Sequence, residues 1–240
     1  MTNKNVIVFG GSGSVGRAVC AALAADGARV AFTYYRNEKA ATELLAALPG
    51  TISRPVDLAS TSETQRVFRE LRAELGGLDA FVHAATLTSA ASEPKFETLL
   101  EADEAGFDRL LAVNVKSAYF VCAELARDFA GNIVLLGSID GAKSVPAPAA
   151  YAASKGALSA LARAASKELG PRGVKINVVA PGVLETGSSR SLPADLRAEY
   201  LKHCGLRRFG RADEVAGLVS WLALRNTYVT GQTLVVDGAL

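Results

Sequence analysis

A tyrosine and a lysine four residues apart are the most chemically suggestive pair in the sequence. Tyr151 and Lys155 are at positions i and i+4, which share one face of a helix. A phenol is a poor acid–base group at neutral pH, but a nearby ammonium stabilises the phenolate and lowers its pKa. By spacing alone such a pair is more often simply exposed. Ser138 follows the apolar run Ile133–Leu136, at the strand end where parallel sheets bind ligands.

A glycine-rich segment near the start has the composition of a phosphate-binding turn. The apolar run Val6–Phe9 leads directly into Gly10-Gly-Ser-Gly-Ser-Val-Gly16, and helix-forming residues follow. Glycine permits a tight turn and close backbone approach, while a helix start offers free N–H groups and a positive dipole. A flexible loop is the alternative, but the position between strand and helix favours a dinucleotide site. Its expected contacts are Gly10, Ser12, Gly13, Ser14, Val15 and Gly16.

The end of the second predicted strand, Arg29–Tyr34, selects between the two nicotinamide dinucleotides. A carboxylate there would accept hydrogen bonds from the 2′-hydroxyl of NAD, but no acid is present. Arg36 is suited to a 2′-phosphate, so NADPH/NADP is predicted over NAD. Asp57, after the third strand, is predicted from the local pattern to cap the next helix, and contact with the adenine amino group is the alternative.

These residues belong to a chain of alternating short apolar runs and longer amphipathic stretches. Half of the 240 residues are hydrophobic, and no linker or repeat divides them. Apolar runs joined by helical crossovers are typical of parallel sheets buried on both faces. The pattern predicts one α/β domain over residues 1–240, with a Rossmann-type doubly wound seven-stranded parallel sheet. The predicted strands are Val6–Phe9, Arg29–Tyr34, Ile52–Val56, Ala80–His83, Asn132–Leu136, Lys175–Val179 and Thr233–Val236.

Several helices and one long connection complete the predicted domain. The segment Leu184–Arg208 interrupts the alternation and contains a short helical stretch, Ala194–Lys202. A long connection late in such a sheet is usually a lid or binding loop, so this segment is expected to border the substrate. The predicted helices include Val15–Ala25, Glu63–Leu75, Gly106–Phe129 and Ala152–Leu169.

Charge and composition exclude other classes of protein. Lys and Arg number 26 against 24 Asp and Glu, so no bulk positive field favours nucleic acid or an anionic membrane. Apolar runs are far shorter than the ~18 residues of a membrane span. Three scattered cysteines and two histidines predict neither disulfides nor a metal site, and they indicate a reducing, cytoplasmic setting.

In combination, these features resemble the short-chain dehydrogenase/reductase family over essentially the whole chain. The most specific part is Tyr-x-x-x-Lys with Ser138 thirteen residues before the tyrosine. Asn114 matches the family's fourth catalytic residue, and Pro181-Gly182 with Thr186 matches the segment that holds the nicotinamide carboxamide. The resemblance implies cofactor contacts from Asp57, Leu58, Ala84, Ala85, Tyr151, Lys155, Pro181, Gly182, Val183 and Thr186.

The resemblance implies a reversible hydride transfer between NADPH and a ketone. Tyr151 would give a proton to the carbonyl oxygen, which Ser138 holds by a hydrogen bond. Lys155 would bind the nicotinamide ribose and lower the pKa of Tyr151. Asn114 would keep a water that links Lys155 to solvent.

Within the family, the segments Asn177–Gly182 and Arg208–Ala216 are most similar to β-ketoacyl-acyl-carrier-protein reductases. This implies a 3-oxoacyl thioester in fatty acid or polyketide-type synthesis, with acyl carrier protein as a partner. Two alternatives stay open. One is a reductase or dehydrogenase of a free small ketone or alcohol (sugar, polyketide, pteridine), which the long segment Leu87–Glu97 favours. The other is a non-catalytic nucleotide-binding sensor, although such proteins usually lose the tyrosine or the lysine.

Three departures from the family pattern stand out. In the glycine turn, the leading threonine is Phe9 and the middle glycine is Ser14. The family's Asn-Asn-Ala-Gly reads His83-Ala-Ala-Thr86, so a threonine replaces the glycine that lies close to the cofactor. His83 is expected to hydrogen-bond neighbouring backbone rather than act as a base. The stretch before the serine strand, Ala126–Asn132, has one base and one acid where carrier-protein reductases often have a basic ridge; nearby bases are Arg163, Lys167 and Arg172.

The composition of the helix that carries Tyr151 and Lys155 also predicts self-association of the protein. Its residues Ala152–Ser166 are mostly Ala, Ser and Gly, which let another helix come close. The resemblance implies the same two-fold contact, commonly within a tetramer, so a homotetramer is predicted and a dimer is the alternative. The apolar residues assigned to this contact are Tyr119, Phe120, Cys122, Ala123, Leu158 and Leu161.

Overall fold

The computed structural model describes residues 4–89, 97–101, 103–187 and 192–240. Seven parallel strands form one sheet in the order β3-β2-β1-β4-β5-β6-β7, which confirms the predicted doubly wound topology. The reversal of strand order between β1 and β4 opens a crevice at their carboxyl ends, where such sheets bind ligands. The strands are β1 (Asn5–Phe9), β2 (Arg29–Tyr34), β3 (Ile52–Pro55), β4 (Ala80–His83), β5 (Asn132–Leu136), β6 (Lys175–Pro181) and β7 (Thr233–Val236).

Helices cover both faces of this sheet. Within the described ranges they are α1 (Ser14–Ala25), α2 (Glu38–Ala47), α3 (Thr61–Leu75), α4 (Glu104–Leu111), α5 (Ser117–Leu125), α6 (Ala149–Leu169), α7 (Ala194–His203) and α8 (Ala212–Leu224).

The predicted helix Gly106–Phe129 differs from what forms. It is divided into α4 and α5 by a π-helical turn, Ala112–Lys116, with Asn114 buried at its centre. Such turns insert a residue into a helix and occur frequently at functional sites. The chain leaves α5 at Leu125, so Phe129 packs in the core from the turn that follows.

The core consists of two apolar layers, one on each side of the sheet. Alternate residues of β1 point to opposite layers, as the period of a strand requires. Phe9, which replaces the family's threonine, packs edge-to-face on Phe68 and Phe81, with ring centres 6.3 and 5.1 Å away. This departure therefore strengthens the core without entering the crevice.

Burial corrects part of the predicted self-association surface. Leu158 and Cys122 are 0% and 4% exposed and belong to the chain's own core. Their assignment to an intersubunit contact is wrong, because both side chains point inward to the sheet. Tyr119 is 52% exposed, and Ala123 and Ala160 lie at the surface with it.

No helix of the described ranges is long and apolar enough to cross a membrane. In the same residues, no group of three or more His, Cys, Asp or Glu side chains has the arrangement of a metal site. Cys20, Cys122 and Cys204 are buried free thiols.

Candidate active site

A cavity of about 1090 Å³ occupies the carboxyl edge of the sheet. It extends from the glycine turn to Ser138, Tyr151 and α7. Lys155 and Asn114 lie behind its wall. The structure brings together the other nominated residues along its lining: Gly10, Ser12, Gly13, Ser14, Val15, Gly16, Arg36, Asp57, Leu58, Ala84, Ala85, Ser138, Tyr151, Pro181, Gly182, Val183 and Thr186.

The glycine turn has the form that a pyrophosphate requires. No side chain caps the start of α1, so its first N–H groups are free for an anion. A Cβ at Gly16 would lie 2.1 Å from the Gly10 carbonyl oxygen, which makes glycine obligatory there. Ser14 is accommodated because Gly187, at φ +79°, has no side chain; a Cβ there would lie 2.6 Å from Ser14 Oγ. The residues present therefore fit a dinucleotide.

Two arginines flank Tyr35 at the ribose-selecting end of the cavity. The Arg36 and Arg109 guanidinium carbons lie 4.7 and 5.6 Å from the Tyr35 ring centre. Arg109 also pairs with Asp57 at 3.3 Å. It comes from α4, far along the chain, so the sequence alone carried no signal for it. Arg36 favours a phosphate at this end, while Asp57 partly offsets the charge of Arg109.

The predicted capping role of Asp57 is wrong. The N-cap of α3 is Ser60, whose hydroxyl accepts from the Glu63 N–H at 3.4 Å. Asp57 lies one turn earlier, and its carboxylate accepts instead from the Ala59 N–H at 3.0 Å. The side chain thus remains at the cavity wall, paired with Arg109.

The lysine of the catalytic pair is fully enclosed. Lys155 is 1% exposed, and its Nζ donates to Thr86 Oγ1 at 2.5 Å and to the Leu136 carbonyl at 2.8 Å. The ammonium lies 5.5 Å from the centre of the Tyr151 ring. The predicted shared helical face on α6 is therefore present, and the hydrogen-bond acceptors come from Thr86 in the loop after β4 and from Leu136 at the end of β5.

Asn114 connects the loop after β4 to α6. Its amide accepts from the Leu87 N–H at 2.7 Å and donates to the Leu87 carbonyl at 2.8 Å. A second donated bond reaches Ser154 Oγ at 3.0 Å. The π-helical turn points this buried side chain toward both partners. Its family role as a water holder stays a prediction.

The pKa of Tyr151 is opposite in direction to the sequence prediction. Burial raises it, nearby Asp140 raises it further, and the Ser138 and Thr86 hydroxyls lower it. Desolvation is the largest cause, and Lys155 is not among the groups that lower the pKa of Tyr151. Tyr151 is thus a protonated donor at neutral pH. Burial lowers the pKa of Lys155 to about 7, with Asp140 opposing that shift.

Asp140 is a site residue that the motif analysis missed. It lines the cavity two residues after Ser138, and its backbone N–H donates to Ser138 Oγ at 3.3 Å. Burial raises the pKa of its carboxyl, while the Ser138 hydroxyl and Lys155 lower it. Its position after a strand-end serine was the available signal.

His83 takes a structural position beneath the site. It is fully buried, and its Nε2 lies 2.7 Å from Ser117 Oγ, so it bonds a side chain rather than neighbouring backbone through that atom. Burial, the larger cause, and the positive charge of Lys155 together lower the pKa of His83 to about 3. A neutral imidazole without an opening to the cavity is not placed to act as a base.

The substrate end has mostly apolar walls. Tyr200 of α7 fixes the predicted loop, since its hydroxyl accepts from the Val183 N–H at 3.2 Å and donates to the Asp237 carbonyl at 3.0 Å. Residues 188–191 of that loop, and residues 90–96 of the segment Leu87–Glu97, lie outside the described residues. The apolar lining here comprises Ile139, Val145, Pro146, Pro148, Leu184, Leu192, Leu196 and Leu240.

A doubly wound sheet with a dinucleotide turn and a Ser, Tyr and Lys cluster defines a nucleotide-dependent oxidoreductase fold. Comparison with known proteins agrees: the family model described as Enoyl-(Acyl carrier protein) reductase matches residues 10–240. A short-chain dehydrogenase/reductase from Serratia marcescens superposes with a TM-score of 0.90 at 30% identity, covering 98% of this chain and 97% of that one. The chain belongs to the short-chain dehydrogenase/reductase family.

Two further relatives and one further solved structure are similar over nearly their full lengths. The Cyclic-di-GMP-binding biofilm dispersal mediator protein of Escherichia coli is 36% identical, covering 99% of this chain and 97% of the relative. The 3-oxoacyl-[acyl-carrier-protein] reductase FabG of Staphylococcus epidermidis is 30% identical, covering 99% of each. The structure of BdcA in complex with NADPH has a TM-score of 0.89 at 34% identity, covering all of this chain and 95% of that one.

Proposed function

We propose that this protein is an NADPH-dependent reductase of ketones, with a 3-oxoacyl thioester as the first substrate class to test. The observation that carries the proposal is one cavity that joins the uncapped start of α1 to Tyr151 and then to apolar walls. The NADPH complex of BdcA and the FabG likeness support the choice of cofactor and substrate.

In this mechanism, NADPH would supply hydride to the ketone carbon. The Ser138 hydroxyl would hold the carbonyl oxygen beside the Tyr151 phenol. Tyr151 then gives its proton to that oxygen, and the raised pKa of the phenol keeps it protonated until the transfer. The apolar walls at the substrate end would hold the acyl group in place.

A free small ketone is the second candidate, and the charges at the substrate end favour it. Lys143 is the cation there among the described residues, and it is paired with Asp237 at 2.5 Å. A carrier-protein thioester brings a phosphate to this surface, and Lys143, whose charge Asp237 offsets, offers it little attraction.

The experiment is a turnover assay of the purified protein with NADPH and with NADH. Acetoacetyl-CoA, acetoacetyl-carrier protein and neutral ketones such as ethyl acetoacetate form the panel. Preference for the carrier-protein substrate supports the first candidate, and preference for the neutral ketones supports the second. Absence of NADPH oxidation with every compound would favour a nucleotide-binding sensor.

Arg36→Ala is expected to weaken the use of NADPH more than that of NADH. Loss of a charge-assisted hydrogen bond costs about 1–3 kcal/mol in kcat/KM for the phosphorylated cofactor. The measurement is kcat/KM for both cofactors, with Arg66→Ala on the exposed face of α3 as the control. Equal use of both cofactors by the unaltered protein would contradict the predicted preference.

We further propose a homotetramer, with a dimer as the alternative, in which one two-fold contact uses the outer faces of α5 and α6 and a second uses the last strand and the carboxy terminus. The exposed Tyr119 packs edge-to-face on Phe120, with ring centres 5.3 Å apart, beside the small residues of α6.

Ala160→Glu is expected to split the assembly, because the new carboxylate would be buried in the subunit contact without a partner. Light scattering measures this, with Ala130→Glu in the exposed segment between α5 and β5 as the control. If the unaltered protein has the mass of one subunit and full activity, the proposal is refuted.

A further inference from the structure

The segment that follows β7 reaches the substrate end of the cavity, and the proposed mechanism gives it no role. β7 ends at Val236. Gly238 and Ala239 then adopt the left-handed backbone conformation, with φ of +69° and +66°. Leu240, which follows this bend, is half-buried and lines the cavity.

Leu240 packs against a small apolar cluster beside the catalytic serine. The cluster centres on Ile139, Tyr200 and Cys204. Ile139 directly follows Ser138, the residue assigned to the carbonyl oxygen of the substrate. Ile139, Tyr200 and Leu240 all line the cavity. Leu240 is therefore part of the apolar wall next to the place proposed for the ketone.

Hydrogen bonds hold this segment against the loop after α7. The Gly205 N–H donates to the Ala239 carbonyl at 3.1 Å, and the Leu206 N–H donates to the Gly238 carbonyl at 3.0 Å. The Cys204 thiol donates to the same Gly238 carbonyl at 3.3 Å. Left-handed backbone is unfavourable for an alanine, so these bonds stabilise a conformation that the segment would otherwise avoid.

An ion pair connects the same segment to the loop after Ser138. Lys143 Nζ lies 2.5 Å from the Asp237 carboxylate and also donates to the Leu240 carbonyl. The Asp237 side chain is 8% exposed, so solvent screens this pair less than an ordinary surface pair. The Asp237 carboxylate also accepts from the Ala239 N–H at 3.0 Å. Lys143 thus contacts both the first and the last residue of the segment Asp237–Leu240.

We propose that Leu240 is a specificity-determining residue that limits the length of the ketone, and that the ion pair between Lys143 and Asp237 holds Leu240 in place. This proposal rests on the proposed ketone reduction, and it specifies the substrate class as ketones with a short apolar chain. An apolar chain gains affinity with each CH₂ group that it buries, and it loses affinity where a packed wall leaves no room. A longer chain can enter only by displacing Leu240 and the hydrogen bonds of its segment.

Two substitutions of Leu240 change the room at this wall in opposite directions. Leu240→Ala removes most of the side chain, whereas Leu240→Phe enlarges it. Leu100→Ala is the matched control, because Leu100 is almost fully exposed and does not line the cavity. The probes are methyl ketones from 2-butanone to 2-decanone. Their binding to the protein saturated with NADP⁺ is measured by saturation-transfer NMR, which detects weak binding and needs no turnover.

In the unaltered protein, affinity is expected to rise about fourfold with each added CH₂ group until the chain reaches Leu240, and then to fall. Leu240→Ala is expected to move this maximum toward longer ketones by about two carbon atoms, and Leu240→Phe is expected to move it toward shorter ones. Leu100→Ala should leave the maximum in place. A maximum at the same length in all four proteins would overturn the proposal, as would a failure of every ketone to bind.

Two further variants test the ion pair. Lys143→Met removes the cation, and Asp237→Asn removes the negative charge while keeping an oxygen that can accept from the Ala239 N–H. Each is expected to move the maximum toward longer ketones, and the double variant should move it no further than the larger single effect. An unchanged maximum in either single variant, or effects that add in the double variant, would overturn the anchoring role of the pair.

Steady-state reduction of the same ketones by NADPH separates this proposal from the proposed function. The value of kcat/KM is expected to depend on chain length as the affinity does, with the same changes in the variants. Binding that depends on residue 240 without oxidation of NADPH would refute ketone reduction and support the wall at Leu240. Reduction with the same length dependence in every variant would overturn the wall and support ketone reduction.

Discussion

Tyr151→Phe is expected to lower kcat for ketone reduction by about 10²–10⁴-fold, the typical contribution of a positioned acid. The ring and its contacts on α6 remain, so the fold and the affinity for NADPH should change little. Stopped-flow measurement of NADPH oxidation with a saturating ketone gives the rate of the chemical step, and fluorescence titration gives the cofactor affinity.

Tyr228→Phe is the matched control, since Tyr228 is 95% exposed and remote from the cavity. Near-normal turnover in Tyr151→Phe would show that the proton comes from another group. Asp140 would then be the first to test, because it lines the cavity beside Ser138 and burial raises the pKa of its carboxyl.

Lys155→Met is expected to lower kcat by a similarly large factor and to change stability in a pH-dependent way. Burial lowers the pKa of Lys155 from 10.5 to about 7, so folding disfavours the ammonium. That penalty is fully present below pH 7, decreases as pH rises, and vanishes above the unfolded pKa of 10.5. Methionine removes it, while leaving Thr86 and Leu136 without a donor at every pH.

The measurable consequence is a trend in thermal unfolding. The Tm of Lys155→Met minus that of the unaltered protein should be highest below pH 7 and should decrease toward pH 10. Lys167→Met, at an exposed position on the same helix, should show no such trend. A difference in Tm that is constant across this range would contradict the buried, destabilised ammonium.

Local patterns were enough to predict the strands, because buried parallel strands are continuous apolar runs with sharp ends. Six predicted strands match to within one residue, and β6 extends two residues further, to Pro181, because it lies between β5 and β7 and bonds to both. The segment Gly106–Phe129 was harder, since the π-helical turn around Asn114 leaves no break in the helical pattern. Its side-chain bonds to Leu87 and Ser154 exist only in the folded chain.

The sequence by itself determined the fold class, the glycine turn and the Tyr151 and Lys155 pair, because each depends on neighbours within about one turn or one strand. Only the tertiary structure decided that Arg109 flanks Tyr35 and that Thr86 meets Lys155. It also decided the pKa of Tyr151, where desolvation by surrounding segments outweighs what an i, i+4 lysine implies. Desolvation and contacts across the crevice arise from packing between distant segments. The spacing of residues along the sequence therefore cannot predict them.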